Sequence, residues 1–338
     1  MRRAVTYRYG VPKSLNRRSA GVVVCLSAAA ALLFTACSSS STSGSPTNAV
    51  GSSASNGASQ QASTGAPTTT APSTPPATPV HIQGYPDGST VGIGMPIIAT
   101  FNKKITEAKD FAKDTTVTVN GKPANGAWYF EYSDPSSGHV LEAHYRPQKY
   151  WPAHAHVQVA FNLKGVSAGK GLVFDGKLTS LDFHTGAAHV AIVNDATHRM
   201  TITSDGKTYG TFPVSLGAHN TPTKRGVKVI MEKGRDISMR GPGYFDPHVK
   251  FTQRLTYGGE YLHSAPWNIY NITHGIDSSN GCTNLLPADA TRLYSFLQIG
   301  DVINYPNANG PEMTLGAGYG DWNVSWSQWI TGGAVATS

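Results

Sequence analysis

Between Val80 and Pro306 the chain alternates apolar and polar residues, mostly with the two-residue period of strands rather than the longer period of helices. The runs "PIIATF", "TVTVNG", "AWYFEY" and "HVQVAF" are short and rich in β-branched and aromatic residues. Turn-forming stretches, "PDGS", "VNGKPANG" and "SDPSSG", separate them. This spacing over residues 80–187 predicts an immunoglobulin-like β-sandwich without the paired cysteines of antibody domains. His154 and His156 would share one strand face there. No third metal ligand is in view, so ordinary strand alternation accounts for them.

A second β unit covers residues 188–306. "HVAIVND" and "HRMTITSDGKTYGTFPVSLG" predict a hairpin turning at "SDGK", and "VKVIM" a further strand. A long glycine- and proline-rich loop containing "MRGPGYFDPH" then leads to the strand-like "GGEYLH". In "PADATRLYSFLQIG" the period changes: Ala290, Leu293, Tyr294 and Leu297 fall on one helical stripe, with Pro287 near its start and Gly300 as C-cap. "DVINY" returns as a strand. The tail, residues 307–338, holds Trp322, Trp326 and Trp329, too much aromatic surface to leave wet, so it should dock on the body. The fold class is mainly β: a sandwich, a β-rich unit with one main helix, and a Trp-rich C-terminal extension.

Composition changes the picture ahead of these units. Residues 38–79 are nearly all Ser, Thr, Ala, Gly, Pro, Asn and Gln, with no charge. Such a stretch cannot bury enough apolar surface to offset its ordering entropy, and random-coil scaling sets its ends roughly 35 Å apart. Residues 1–37 read as an export signal: Arg2, Arg3, Arg8, Lys13, Arg17 and Arg18 precede the apolar run "GVVVCLSAAAALLFTA". The ending "FTAC" resembles a bacterial lipobox, which would make Cys37 a lipidated N-terminus. The expected location is the cell envelope, on the outer face of the cytoplasmic membrane and held there by lipid. Of the formal charge of +7, six positive charges lie in this leader, leaving +1 on the exported body and no basic footprint for nucleic acid.

Removing the leader also removes Cys25 and leaves Cys282 as the free thiol of the body. An unpaired cysteine in an exported protein suggests a reactive group, and its neighbours Asn280, Gly281, Thr283 and Asn284 argue against a buried apolar niche. A nearby base would activate it, and either His263 or His274 could serve. A serine acyltransferase would need Ser-x-x-Lys together with Lys-Thr-Gly. The chain has the first pattern only in a turn at Ser204 and a loop at Ser167, and lacks the second. A zinc site from Cys282, His263, His274 and Asp277 matches no common spacing.

"YLHSAPW" followed by "SSNGCTN" resembles the signature of the L,D-transpeptidases, the YkuD-type catalytic domain that cross-links bacterial peptidoglycan. The likeness is to mycobacterial members, which place an immunoglobulin-like domain first. His263, fifteen intervening residues, then Ser279, Gly281, Cys282 and Asn284 fit the pattern, while Asn280 stands where the family usually has His. "GDWNVSWSQW" resembles the family's C-terminal extension. The resemblance implies Cys282 as nucleophile, His263 as base, the Ser264 carbonyl orienting the imidazole, and an oxyanion hole at the Gly281 and Cys282 amides. It implies support from Asn280 and Asn284, and substrate contacts from Ser279, Tyr244 and Met231. The implied partners are a tetrapeptide stem as donor, a diaminopimelate amine as acceptor, and carbapenems as acylating inhibitors, with no metal or cofactor. Two other activities stay open: L,D-carboxypeptidation, or a catalytically dead protein that binds peptidoglycan.

Overall fold

The computed structural model describes residues 76–133, 139–241 and 243–337. The leader, Cys37 and the tether up to residue 75 lie outside the described residues. Thr78 and Pro79, the end of the low-complexity stretch, already belong to a strand, Thr78–Val80, that pairs in parallel with Leu172–Phe174.

The alternating runs of the first unit form two facing sheets, which makes it an immunoglobulin-like sandwich. One sheet orders Ile82–Tyr85, Ile97–Phe101, Leu141–Pro147 and Gly126–Glu131; the other orders Thr90–Val91, Ser180–Thr185, His156–Phe161, Thr115–Val119 and Lys122–Pro123. Phe101, Phe111, Phe130 and Phe174 fill the space between them, and Phe111 meets Phe101, Trp128 and Phe130 edge-on at 5.1–5.5 Å. Edge-to-face rings at that distance add to the burial of aromatic area. The strand period puts Ala143 and Tyr145 into this core, and Glu142, His144 and Arg146 on the opposite face. That polar face is not left to solvent. The tail lies over it: Trp329 stacks on Tyr129 at 4.8 Å, and the Arg146 guanidinium sits over the rings of Trp322, Trp326 and Trp329. Arg146 also donates to the Val324 carbonyl at 2.7 Å.

The second unit is built on one nine-stranded sheet. Its order is Gly226–Val229, Val302–Tyr305, His189–Asn194, Arg199–Ser204, Lys207–Ser215, Thr283–Leu285, Tyr261–Ser264, Tyr244–Arg254 and Glu232–Gly241. The glycine- and proline-rich segment expected as a loop is instead the long hairpin Glu232–Gly241 and Tyr244–Arg254. Gly241 and Gly243 sit at the turn and Pro247 lies in a register shift, where a ladder tolerates them. The helix runs Pro287–Phe296 with Ala290 and Leu293 buried. Its C-cap is Leu297 rather than Gly300, and the Lys233 ammonium takes the Tyr294 and Leu297 carbonyls there, as the helix dipole favours. Gly300 instead meets Gly92 of the sandwich, where a Cβ on Gly92 would come within 2.2 Å of the Asp301 amide. A short helix not anticipated from sequence, Ile269–His274, follows the "SAPW" turn. Among the described residues no helix is long and apolar enough to cross a membrane.

Candidate active site

The two motifs meet on neighbouring strands. Tyr261–Ser264 and Thr283–Leu285 pair in parallel with His263 opposite Asn284 and Leu262 opposite Thr283. Cys282 therefore enters the sheet opposite Tyr261, on the same face as His263 and diagonal to it, nineteen positions apart in sequence but one strand apart in space. The His263 imidazole is nearly fully buried, and its Nδ1–H donates to the Ser264 carbonyl at 2.9 Å, leaving Nε2 as the basic nitrogen. Burial holds its pKa below the ordinary histidine value, so the ring is neutral at pH 7. Trp267 stacks on it at 5.9 Å while remaining 58% exposed.

Cys282 departs from expectation. It is buried rather than open, and its Sγ–H donates to the Gly259 carbonyl at 3.5 Å. Polar neighbours in sequence do not keep it wet, because the Gly258–Glu260 turn folds over it. Burial pushes its thiol up to about 12, against which the Tyr261 amide and the Lys228 ammonium act. The resting pair is thus neutral thiol and neutral imidazole.

The turn before Cys282 is held from within. The Ser279 hydroxyl donates to the Cys282 carbonyl at 2.6 Å and accepts the Gly281 N–H at 3.2 Å. Thr223 donates to the Gly281 carbonyl at 3.0 Å, and Thr221 to the Ser279 carbonyl at 2.9 Å. Gly281 sits at φ +102°, which requires glycine. In the resting turn the Ser279 hydroxyl and the Gly281 amide, expected at substrate and at an oxyanion hole, are both engaged within the loop. Asn284 is buried beside His263, but its Oδ1 has no hydrogen-bond partner, so the expected support through that atom is not made. Asn280 is exposed on the turn.

The other expected residues divide. Tyr244 lies at the hairpin tip, packed over Gly241, and its neighbour Asp246 is close enough to raise the pKa of both His263 and Cys282. Met231 lies at the far end of the hairpin, its sulfur against Gly318 of the tail. His274 is exposed, its ring stacked on Tyr270 and its Nδ1–H donated to the Tyr270 carbonyl at 2.8 Å. Asp277 faces away from the thiol, toward the Leu216 amide and His198.

Sequence reasoning missed what lies beneath the thiol. Lys228, fully buried, donates to Glu260 at 2.7 Å and sits 4.0 Å over the Tyr305 ring. The other Glu260 oxygen accepts the Lys224 amide, and the Tyr305 hydroxyl meets Thr283 at 2.6 Å. Glu260 in "GGEYLH" could have been noticed as an acid within an otherwise apolar strand entry; Lys228 in "VKVIM" gave the same signal.

The structure brings further potential metal ligands among the described residues to His156 but not to His154. His154 leaves the strand with φ +55° and bonds Asp205, while His156 stacks on His184 and bonds Asp182. Among the described residues three clusters offer converging ligand atoms: His156, Asp182 and His184; Glu131, Glu142 and His144; Asp195, His198 and Asp277. None includes Cys282 or His263.

Comparison with known proteins fits this geometry. Residues 188–304 match the L,D-transpeptidase catalytic domain (YkuD), and residues 41–167 match a bacterial Ig domain. The chain is 29% identical over 259 residues to L,D-transpeptidase 2 of Mycobacterium tuberculosis, an alignment covering 74% of this chain and 61% of that protein. It thus spans less than two-thirds of that relative's length. The solved structure of the LD transpeptidase LdtMt1 in complex with imipenem is 25% identical, covers 68% of this chain and all of its own, and superposes with a TM-score of 0.55. L,D-transpeptidase 3 of Mycobacterium tuberculosis, solved in complex with a faropenem-derived adduct, is 25% identical, covers 68% of this chain and 98% of its own, and gives 0.53. The chain therefore carries the YkuD catalytic domain of the L,D-transpeptidases behind a bacterial immunoglobulin-like domain.

Proposed function

We propose that this protein is a peptidoglycan L,D-transpeptidase acting through a thioester on Cys282. The observation that carries the reading is the register of the two motif strands: it sets the only thiol of the described residues diagonal to an imidazole whose Nδ1 is fixed by the Ser264 carbonyl. Nε2 of His263 takes the thiol proton as Sγ attacks the carbonyl of the third residue of a tetrapeptide stem. The proton passes to the departing amine of the terminal D-amino acid, and the thioester remains. An acceptor amine, that of diaminopimelate, then attacks the thioester, its proton returning through His263 to the sulfur, to give a 3→3 cross-link. Water in place of the amine makes the same centre a carboxypeptidase. In the resting structure Sγ points at Gly259, so attack needs the side chain to swing toward Nε2; apo sites commonly tighten in this way only with substrate. The exposed Trp267 face is then available to the stem peptide. The basic and apolar leader of residues 1–37 supports a reaction outside the cytoplasmic membrane, on a lipid anchor at Cys37.

Burial of the thiol favours one alternative, a dead domain that binds peptidoglycan through its β units. Intact-mass measurement after incubation with imipenem decides between them. A single adduct on the wild type, absent from Cys282→Ala, supports the enzyme; no adduct on either supports the binding protein.

A further inference from the structure

The polar face of the sandwich holds a second concentration of ionisable groups, far in sequence from the catalytic motifs. Glu131 pairs directly across the ladder with Glu142, and His144 follows two positions on, so all three share the face that the tail covers. Like charges set opposite each other in a ladder repel. Behind the imidazole, Nδ1–H donates to Oδ1 of the fully buried Asp321 at 2.7 Å. In front, Nε2 faces Glu142 Oε2 at 3.4 Å and Glu131 Oε1 at 3.5 Å.

The two sides of this ring differ in kind. An imidazolium bonded to carboxylates closes to about 2.7–2.9 Å, as the Asp321 side does and the glutamate side does not. Bonds of about 2.1 Å at tetrahedral angles instead separate ligand atoms by about 3.4 Å, which is the spacing on the glutamate side. The three ligand atoms all lie within 4.8 Å of one another. A ligating histidine with its other N–H given to a carboxylate is also the usual outer arrangement of a metal site. The cluster is also incomplete as it stands: Asp321, wholly buried behind the imidazole, has its Oδ2 without a hydrogen-bond partner.

We propose that Glu131, Glu142 and His144 hold a divalent cation, with Asp321 orienting the imidazole, and that this ion fastens the C-terminal tail to the immunoglobulin-like sheet. One imidazole and two carboxylates at tetrahedral spacing suit Zn²⁺, with a water completing the set through the partly exposed glutamate edge. Because Asp321 comes from the tail and the ligands from the sheet, binding and docking reinforce each other. The site is independent of the thioester reading, since it shares no residue with Cys282 or His263.

The test uses the whole protein, stripped with chelator, desalted and titrated with Zn²⁺ against a chromophoric competitor. One equivalent should bind, and at a hundredfold excess over Kd the Tm should rise by about 5–10 °C. Asp321→Asn should weaken binding about 10–100-fold, as loss of an orienting carboxylate does. Glu131→Gln, at a half-buried position that keeps its shape, should weaken it at least as much. His184→Ala, in the exposed cluster on the other sheet, should leave it unchanged. Binding of no zinc, or of zinc that Glu131→Gln retains in full and His184→Ala loses, would overturn the assignment.

Discussion

Beneath Cys282, the Lys228 ammonium and the Glu260 carboxylate lie 2.7 Å apart, and the remaining Glu260 oxygen is met by a backbone amide. Under the tail, one imidazole is surrounded by three carboxylates and a guanidinium, with one buried oxygen unpaired and Glu131 pushed up to about 7, chiefly by burial. Both clusters are buried and both join elements distant in sequence. The first is fully partnered; the second leaves Asp321 Oδ2 buried without a partner. A buried pair that is complete acts as a rigid floor for the chemistry above it, whereas an incomplete one points to a missing cation. The contrast also separates roles: the complete cluster supports a neutral thiol and a neutral histidine, which in the proposed mechanism acquire charge only during reaction.

The largest break falls on that neutral pair. His263→Ala should slow acylation of Cys282 by imipenem about 10²–10⁴-fold at pH 7, the usual contribution of a positioned base. The pH profile should change with it. In the proposed mechanism the imidazole is the proton acceptor, and its lowered pKa keeps it neutral down into mildly acidic solution, so the wild-type rate should hold from pH 8 to below 6.5. In the variant the rate should follow the thiolate fraction, rising about tenfold per pH unit from 7 to 9 because the thiol titrates far above that range. Stopped-flow or timed intact-mass measurement reads both. A variant as fast as the wild type at pH 7 would remove His263 from the mechanism.

Next in size is the floor. Glu260→Gln strands the Lys228 ammonium at full burial and should cost about 3–5 kcal/mol in urea unfolding, while Lys228→Met with Glu260→Leu should recover most of it. At the other cluster the sign should differ. In chelator-treated protein Glu131→Gln relieves a like-charge pair, so it should cost less than about 1 kcal/mol or gain a similar amount. Equal losses at the two sites would erase the distinction between the complete and the incomplete cluster.

These clusters also mark what could be read in the sequence. Strand alternation gave both β units, because a period of two is set locally by which face is buried. The pairing of His263 with Cys282 was legible because the two motifs carry it residue by residue. The junction cluster was not. Glu131, Glu142 and His144 look like ordinary outward strand positions, and only the tail's return over that face, from Tyr319 to Gly333, buries them. The long hairpin was hidden for a related reason: glycine and proline lower local strand propensity, while pairing with Tyr261–Ser264 and within the hairpin supplies the stability that propensity does not. The burial of Cys282 likewise depends on the Gly258–Glu260 turn, twenty-odd residues away in the chain, so its polar neighbours misled.

The smallest expected effects lie on the rim of the site and sharpen the assignment of the base. His274 is only eight residues before Cys282, nearer in sequence than His263, yet its ring is stacked on Tyr270 at 4.1 Å and its Nδ1–H is held by the Tyr270 carbonyl. An exposed residue so placed contributes within about ±0.5 kcal/mol, so His274→Ala should leave the adduct rate within about twofold of the wild type. Asn280→His, which restores the residue usual in the family, falls on an exposed turn and should leave unfolding unchanged. The new imidazole would adjoin Gly281 without touching the proton path from Sγ to Nε2, so it should alter acylation by less than tenfold. Measured in the His263→Ala background, it should restore nothing at pH 7. Rescue there would mean that the imidazole at position 280, rather than the buried one at 263, can accept the thiol proton, and that the fixed tautomer of His263 serves only to hold the strand.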